Sequence, residues 1–193
     1  FGPKKYFAQL EGSKVFSKKF MQDNNLPTAD YKEFDDIEKA VYHVKSKKPP
    51  IVVKYEGLAA GKGVDICESQ DQAESSIKNL LKPNEKIIVE DFIKGIELSS
   101  IYICNPNASK KTIGLPWVKD YKSRDEYNSG PNTGGMGAIT HPYCSFKKND
   151  VYSLNTEIEK IIIKTIVSIN NSSGDQSNYN GFLYLGLMIS TED

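Results

Sequence analysis

The chain has 193 residues, 38% of them hydrophobic, and its 25 Lys and Arg balance 25 Asp and Glu for a formal net charge of zero. One large domain or two small interlocked ones fit this length, and such a chain buries on the order of 70% of its unfolded surface, so no metal or disulfide is needed to hold a core together. Balanced charge excludes a bulk attraction for nucleic acid, and Cys67, Cys104 and Cys144, without a C-x-x-C pair, exclude a disulfide scaffold or zinc finger.

No run approaches the ~20 apolar residues that cross a bilayer, and Phe1-Gly2-Pro3-Lys4-Lys5 lacks the apolar core of a secretory signal, which gives a cytoplasmic reading with no membrane partner. Ser13 is a suitable N-cap, and Phe16 and Phe20, four apart, predict a short amphipathic helix that ends before Pro27. A polar strand over residues 29–34 and a helix over 36–45 follow. The basic run Lys45-Ser46-Lys47-Lys48 reads as the solvated end of that helix, which Pro49-Pro50 stops. Residues 51–55, short and β-branched, predict a strand that runs into Gly57-Leu58-Ala59-Ala60-Gly61-Lys62-Gly63-Val64.

A helix over residues 71–81 precedes strands over 86–93 and 96–104, joined at Lys94-Gly95 by a hairpin or a sharp hinge. A strand over 112–119 leads to a long polar stretch, read as a loop, containing Gly130-Pro131-Asn132-Thr133-Gly134-Gly135-Met136-Gly137. Val151, Leu154, Ile158, Ile161, Ile162, Thr165, Ile166 and Ile169 recur at three and four, the pattern of a helix with one buried face. Residues 170–180 read as a loop, and the nearly continuous apolar run 181–189 as a strand buried on both faces. Thr191-Glu192-Asp193 are turn residues directly after this strand, which predicts that a partner strand belongs beyond them.

Glycines with Lys62, directly after a strand carrying Lys54, commonly present N–H groups and ammonium charge to phosphate. Gly57-x-x-x-Gly61-Lys62 is one residue short of a P-loop and is followed by Gly63 in place of Ser or Thr. Gly61-x-Gly63 lacks the third glycine of a dinucleotide fingerprint. A mobile turn over a triphosphate and a simple tight hairpin both remain open. The second glycine-rich stretch offers N–H groups, Asn132 and Thr133 to an anion, or is a plain surface loop. Glu90, Asp91 and Glu97 on strands read equally as ligands or as solvated edge residues. His141 and Cys144 have no third partner that would make them a catalytic pair.

Taken together, Gln9-Leu10-Glu11-Gly12-Ser13-Lys14, Val52-Val53-Lys54, Gly57 to Val64, Val89-Glu90-Asp91-Phe92, Gly130 to Ala138 and Gly181 to Met188 resemble, in order, the phosphoribosylamine–glycine ligases of the ATP-grasp superfamily. The resemblance implies an α+β ATP-grasp fold of two subdomains clasping a nucleotide. It divides the chain into a lead-in over residues 1–49, a small subdomain over 50–119 and the start of a large subdomain over 120–193. It also implies ATP-dependent joining of glycine to 5-phosphoribosylamine through a glycyl phosphate, in purine biosynthesis, with ATP and Mg²⁺ as cofactors.

By the same resemblance Lys14 and Lys54 reach the phosphates, and Gly57, Gly61, Lys62 and Gly63 cover them. Glu90 meets the adenine amino group, Asp91 and the backbone at Phe92 the ring edge, and Glu97 the ribose hydroxyls. Lys54, Asp120 and Lys122 stand at the reaction, while Asn132, Thr133, Gly134 and Gly135 hold phosphoribosylamine and glycine. The family pattern Gln-Asp-His-Lys-Arg reads here Lys119-Asp120-Tyr121-Lys122-Ser123, so the planar phosphate fork of the Arg is lost unless Arg124 supplies it. The resemblance places a domain ahead of Phe1 and the Glu and Asn that bind Mg²⁺ on a strand after Met188. Thus no metal ligand is expected within these residues, and the 193 residues alone are expected to be inactive. Another carboxylate–amine ligase of the superfamily, or a non-catalytic nucleotide-binding module, are the competing expectations.

Overall fold

In the computed structural model, described over residues 1–57, 63–108, 111–126, 129–140, 148–172 and 178–190, helices and antiparallel strands form an α+β structure with two sheets. Helix α1 (Lys5–Gly12) has no side-chain cap, yet Phe7 is buried. Eight residues are too few for a helix that is stable alone, so packing onto the core forms it, which is why no local pattern signals it. Helix α2 (Lys14–Asp23) begins at Ser13, whose hydroxyl accepts from Phe16 N at 3.0 Å, a cap that contributes about 1 kcal/mol.

The first sheet has the order β1 (Tyr31–Phe34), β4 (Ile87–Asp91), β2 (Ile51–Tyr55), β3 (Val64–Cys67). Helix α3 (Ile37–Lys45), capped by Asp36, and helix α4 (Gln70–Leu80), capped by Ser69, supply Ala40, Val44, Ala73 and Ile77 to its core. Phe34, Ile51, Val53, Cys67, Leu81, Ile87 and Val89 complete that core. Strand periodicity therefore leaves Val52, Lys54, Ile88 and Glu90 on the opposite face.

The second sheet runs β6 (Thr112–Gly114), β5 (Gly95–Cys104), β7 (Val118–Asp125), β8 (Ser129–Thr140), and β9 (Gly181–Ser190) pairs with β5 along its full length. Helices α1, α2 and α5 (Lys148–Ser172) pack on one face, with Phe7, Phe20, Leu98, Tyr102, Ile158, Ile162, Ile169 and Leu183 in the core. Glu97, Ser99, Tyr184 and Met188 fall on the other face.

Three readings change, and a fourth, at Lys94-Gly95, resolves to the sharp hinge of its two alternatives. Lys94-Gly95 closes no hairpin, because β4 pairs with β1 and β2 while β5 pairs in the other sheet, so residues 92–94 are a sharp connection between sheets. The strand expected over 112–119 breaks into β6 and β7 around Pro116, which has no N–H to donate to a ladder. The glycine-rich stretch expected as a loop is strand β8, bonded to β7 through Lys119↔Ile139, Tyr121↔Gly137 and Ser123↔Asn132, with bulges that absorb the mismatch. Gly130 is needed there: its φ is 76°, and a Cβ would stand 2.1 Å from Asp125 Oδ2. Finally, β9 is buried on one face only. Leu183 is 7% exposed and its neighbour Phe182 59%, because the helices cover a single side of the sheet. The two sheets part at residues 92–94, while α1 and α2, from the start of the chain, pack with the second sheet.

Cys67 and Cys104 are each 2% exposed, and burial pushes both thiols up to about 11. Iodoacetamide at about pH 8 is expected to leave both unmodified in the native protein and to label both in urea, as read by peptide mass mapping. The protons these thiols retain in the fold support stability fully below the unfolded thiol value. That support is lost as pH rises through about 11. The urea midpoint should therefore fall over this alkaline range. Among the described residues no helix is long and apolar enough to cross a membrane.

Candidate functional site

The first site element is the root of the glycine-rich segment after β2. Tyr55 N donates to Gly63 O at 2.9 Å, which closes the base of the segment. Helix α2 points its N-terminus at this root. Val15 N donates to Glu56 Oε2 at 2.9 Å, Ser13 Oγ donates to the other carboxylate oxygen, and Lys14 Nζ donates to Gly57 O. A carboxylate at the positive end of a helix is favourable, so Glu56 fixes the segment's first residues to α2. Burial lowers the Lys14 ammonium from its ordinary value, against the opposing charge of Glu56.

One helical turn further, Lys18 meets Glu90 and Lys54. Both ammonium groups converge on Glu90 Oε2, Lys54 at 2.8 Å and Lys18 at 3.1 Å. Glu90 is 5% exposed, so it is not a solvated strand-edge residue. Its Oε1 is buried with no hydrogen-bond partner among the described residues. An acceptor in that position suits an N–H donor from a ligand.

Across the connection at residues 92–94, the second sheet presents another charged group. Lys122 on β7 donates to Glu97 on β5 and lies 3.8 Å from Asp120. Burial opposes its charge, but Glu97, with Tyr184 and Asp120, outweighs burial and holds the ammonium above its ordinary value. Tyr184 Oη and Ser99 Oγ are 3.0 Å apart on the same face.

The family description "Phosphoribosylglycinamide synthetase, ATP-grasp (A) domain" matches residues 12–193. The chain belongs to this family. It is 39% identical to the phosphoribosylamine–glycine ligase of Clostridium acetobutylicum, over 98% of this chain and 44% of that protein. It is 36% identical to the one from Escherichia coli O157:H7, over 98% and 43%. The crystal structure of the Thermotoga maritima phosphoribosylamine–glycine ligase superimposes with TM-score 0.80 at 33% identity, covering 99% of this chain and 47% of that one. The D-alanine–D-alanine ligase of Bacillus anthracis complexed with ATP, 15% identical, shares the fold with TM-score 0.66, over 98% of this chain and 55% of its own. The chain thus spans somewhat under half the length of the curated relatives it matches.

In this ATP-grasp chain the structure brings Lys54 to Glu90 and sets Lys14 at Gly57, but Gly61 and Lys62 lie outside the described residues, as do His141 and Cys144. Asp91 ends β4 and pairs with Lys47 at 2.6 Å, and Phe92, half-buried, begins the connection between sheets. The basic run 45–48 is exposed at Lys45, Ser46 and Lys48, as its reading as a solvated helix end expects, and Lys47 adds a surface ion pair. Glu97 pairs with Lys122, an arrangement that the sequence left open.

Thr133 and Asn132 sit in β8, where Thr133 Oγ1 donates to Lys122 O at 2.9 Å and accepts from Gly135 N at 3.1 Å. That hydroxyl braces the β7–β8 ribbon, and Gly134 beside it is exposed. Arg124, next to Ser123, is engaged by its neighbour Asp125 through Nε at 2.8 Å and Nη2 at 2.9 Å. Both partners are solvent-exposed, so this pair is worth little and exchanges easily for a stronger anion. Sequence reasoning missed Lys18. The spacing of Lys18 four residues after Lys14 on a capped helix was the available signal.

Proposed function

We propose that this chain is the nucleotide-binding part of an ATP-dependent ligase that joins glycine to 5-phosphoribosylamine, yielding glycinamide ribonucleotide, ADP and phosphate. One observation carries the reading: Lys14, Lys18 and Lys54 gather at the root of a glycine-rich segment, beside a buried carboxylate whose Oε1 has no partner among the described residues. Cations suit a triphosphate, and the free acceptor suits the amino group of adenine.

ATP fits these residues. Lys14 and Lys54 bind its phosphates, and the glycine-rich segment adds backbone N–H groups and the charge of Lys62 to that binding. Glu90 accepts from the amino group, Asp91 and the Phe92 backbone border the ring, and Glu97 accepts from the ribose. ATP supplies the phosphoryl group that activates the glycine carboxylate, and the phosphoribosylamine nitrogen then attacks the activated carbonyl and releases phosphate. Asp120, Lys122 and the Asn132 to Gly135 stretch of β8 position these two small substrates. Acceleration comes chiefly from positioning and from ammonium groups set where phosphate charge develops. Magnesium is proposed as the ion that accompanies the triphosphate. Among the described residues no three carboxylate, imidazole or thiol groups converge to hold it.

Lys54→Met is expected to weaken ATP binding by roughly 10- to 100-fold, the value of a charge-assisted contact of about 1.5 to 3 kcal/mol. Calorimetric titration measures this, and unchanged affinity would take Lys54 away from the phosphates. The substrate assignment is tested by which amine and acid raise ADP release. In the full-length protein phosphoribosylamine with glycine is expected to do so, and stimulation by a different pair would mark another ligase of the superfamily.

A further inference from the structure

Lys18 has a different status from Lys54, although both touch the same oxygen of Glu90. The Lys18 side chain is 9% exposed and its ammonium also donates to Thr28 Oγ1 at 2.7 Å and Ala29 O at 3.2 Å. Three partners from two stretches of chain, residues 28–29 and Glu90, hold it. Lys54 is 26% exposed, and among the described residues Glu90 is its one hydrogen-bond partner. Moving a deeply buried ammonium away from its carboxylate strands both charges in a poor solvent, whereas a lysine with access to water exchanges partners at small cost.

If Lys54 alone neutralised Glu90, its departure toward an anion would leave a buried carboxylate bare. We infer that Lys18 is a positioning residue, the fixed counter-ion of Glu90, whose presence lets Lys54 exchange from Glu90 onto the phosphates of a bound nucleoside triphosphate. Because Lys18 and Lys54 share Oε2, Oε1 stays open as an acceptor in both arrangements. The exchange rests on the nucleotide reading above, while the fixed pairing does not.

The test is a set of variants measured without and with ATP. Without nucleotide, Lys18→Met should lower the urea midpoint more than Lys54→Met does, and most of that loss should vanish in a Glu90→Gln background. With ATP, Lys18→Met should weaken binding by about tenfold or more in the wild-type background, but by no more than about twofold beside Glu90→Gln. A lysine that only braced residues 28 and 29 would show no such rescue.

A Lys54→Met midpoint shift equal to or larger than that of Lys18→Met overturns the assignment, as does an ATP loss that Glu90→Gln leaves intact. Should Lys18→Met fail to fold, folding of the Lys18→Met/Glu90→Gln double variant supports the proposal, and its failure as well refutes it. Absence of ATP binding by the unmodified chain, with the urea ordering preserved, removes the nucleotide reading and the exchange together. The fixed Lys18–Glu90 pairing then stands on its own.

Discussion

Replacing Glu90 with alanine is expected to destabilise the protein by about 3 to 5 kcal/mol, the cost of breaking a buried ion pair by removing one partner. The carboxylate is 5% exposed and neutralises Lys18, which burial already holds below its ordinary ammonium value. Without Glu90, the Lys18 ammonium keeps, among the described residues, the neutral oxygens of Thr28 and Ala29 as acceptors and the face of the Tyr31 ring at 5.5 Å. Lys54 loses less, since it reaches water. Urea unfolding of Glu90→Ala beside the parent chain gives the number. A loss under about 1 kcal/mol, the worth of an exposed pair, would mean that the carboxylate is solvated and that the site is open.

The second large effect is expected at Gly95, where alanine should cost about 3 kcal/mol, the upper part of the range for overpacking. A Cβ there would stand 2.2 Å from Ile189 O and 2.8 Å from Ile189 C. Those atoms belong to the backbone of β9, which is bonded to β5 from Gly95↔Ser190 to Cys104↔Gly181, so no side chain is available to turn aside. The first pairs of that ladder have to separate. Because Gly95 directly follows the connection between the sheets, the same shift moves Glu97 relative to Glu90, and ATP affinity should fall along with stability. Urea unfolding and calorimetry on Gly95→Ala check both. A stable variant with normal affinity would show that the start of β5 yields freely.

Much of the local structure was legible in the residues. The cap at Ser13 with Phe16 and Phe20, the helix over 36–45 and the β-branched run 51–55 each rest on interactions within about four positions of chain. The glycine-rich stretches and Lys14, Lys54 and Glu90 were readable as candidates for the same reason: they are short motifs with a chemistry of their own. Whether Glu90 was a ligand or a solvated edge residue could not be read, because burial depends on what covers it. The covering groups are Lys18, from a helix more than 70 positions earlier, and Lys54, from a neighbouring strand.

Residues 130–137 show the same limit. Four glycines, a proline and polar side chains describe a loop to any local rule, yet β7 supplies partners to this backbone across a bulged ribbon, and it becomes a strand. The apolar run of β9 likewise suits two buried faces, and only the placement of α1, α2 and α5 on a single side decides that Phe182 and Tyr184 are exposed. The sequence by itself determined where helices begin, which short runs extend, and which residues carry charge to the glycine-rich segment, since these follow from neighbours along the chain. Only the tertiary structure decided which strands pair, which face of each sheet is covered, and that Lys18 shares the charge of Glu90. Hydrogen-bond register and the burial of charge are set by groups far apart in sequence, whose meeting no local pattern encodes.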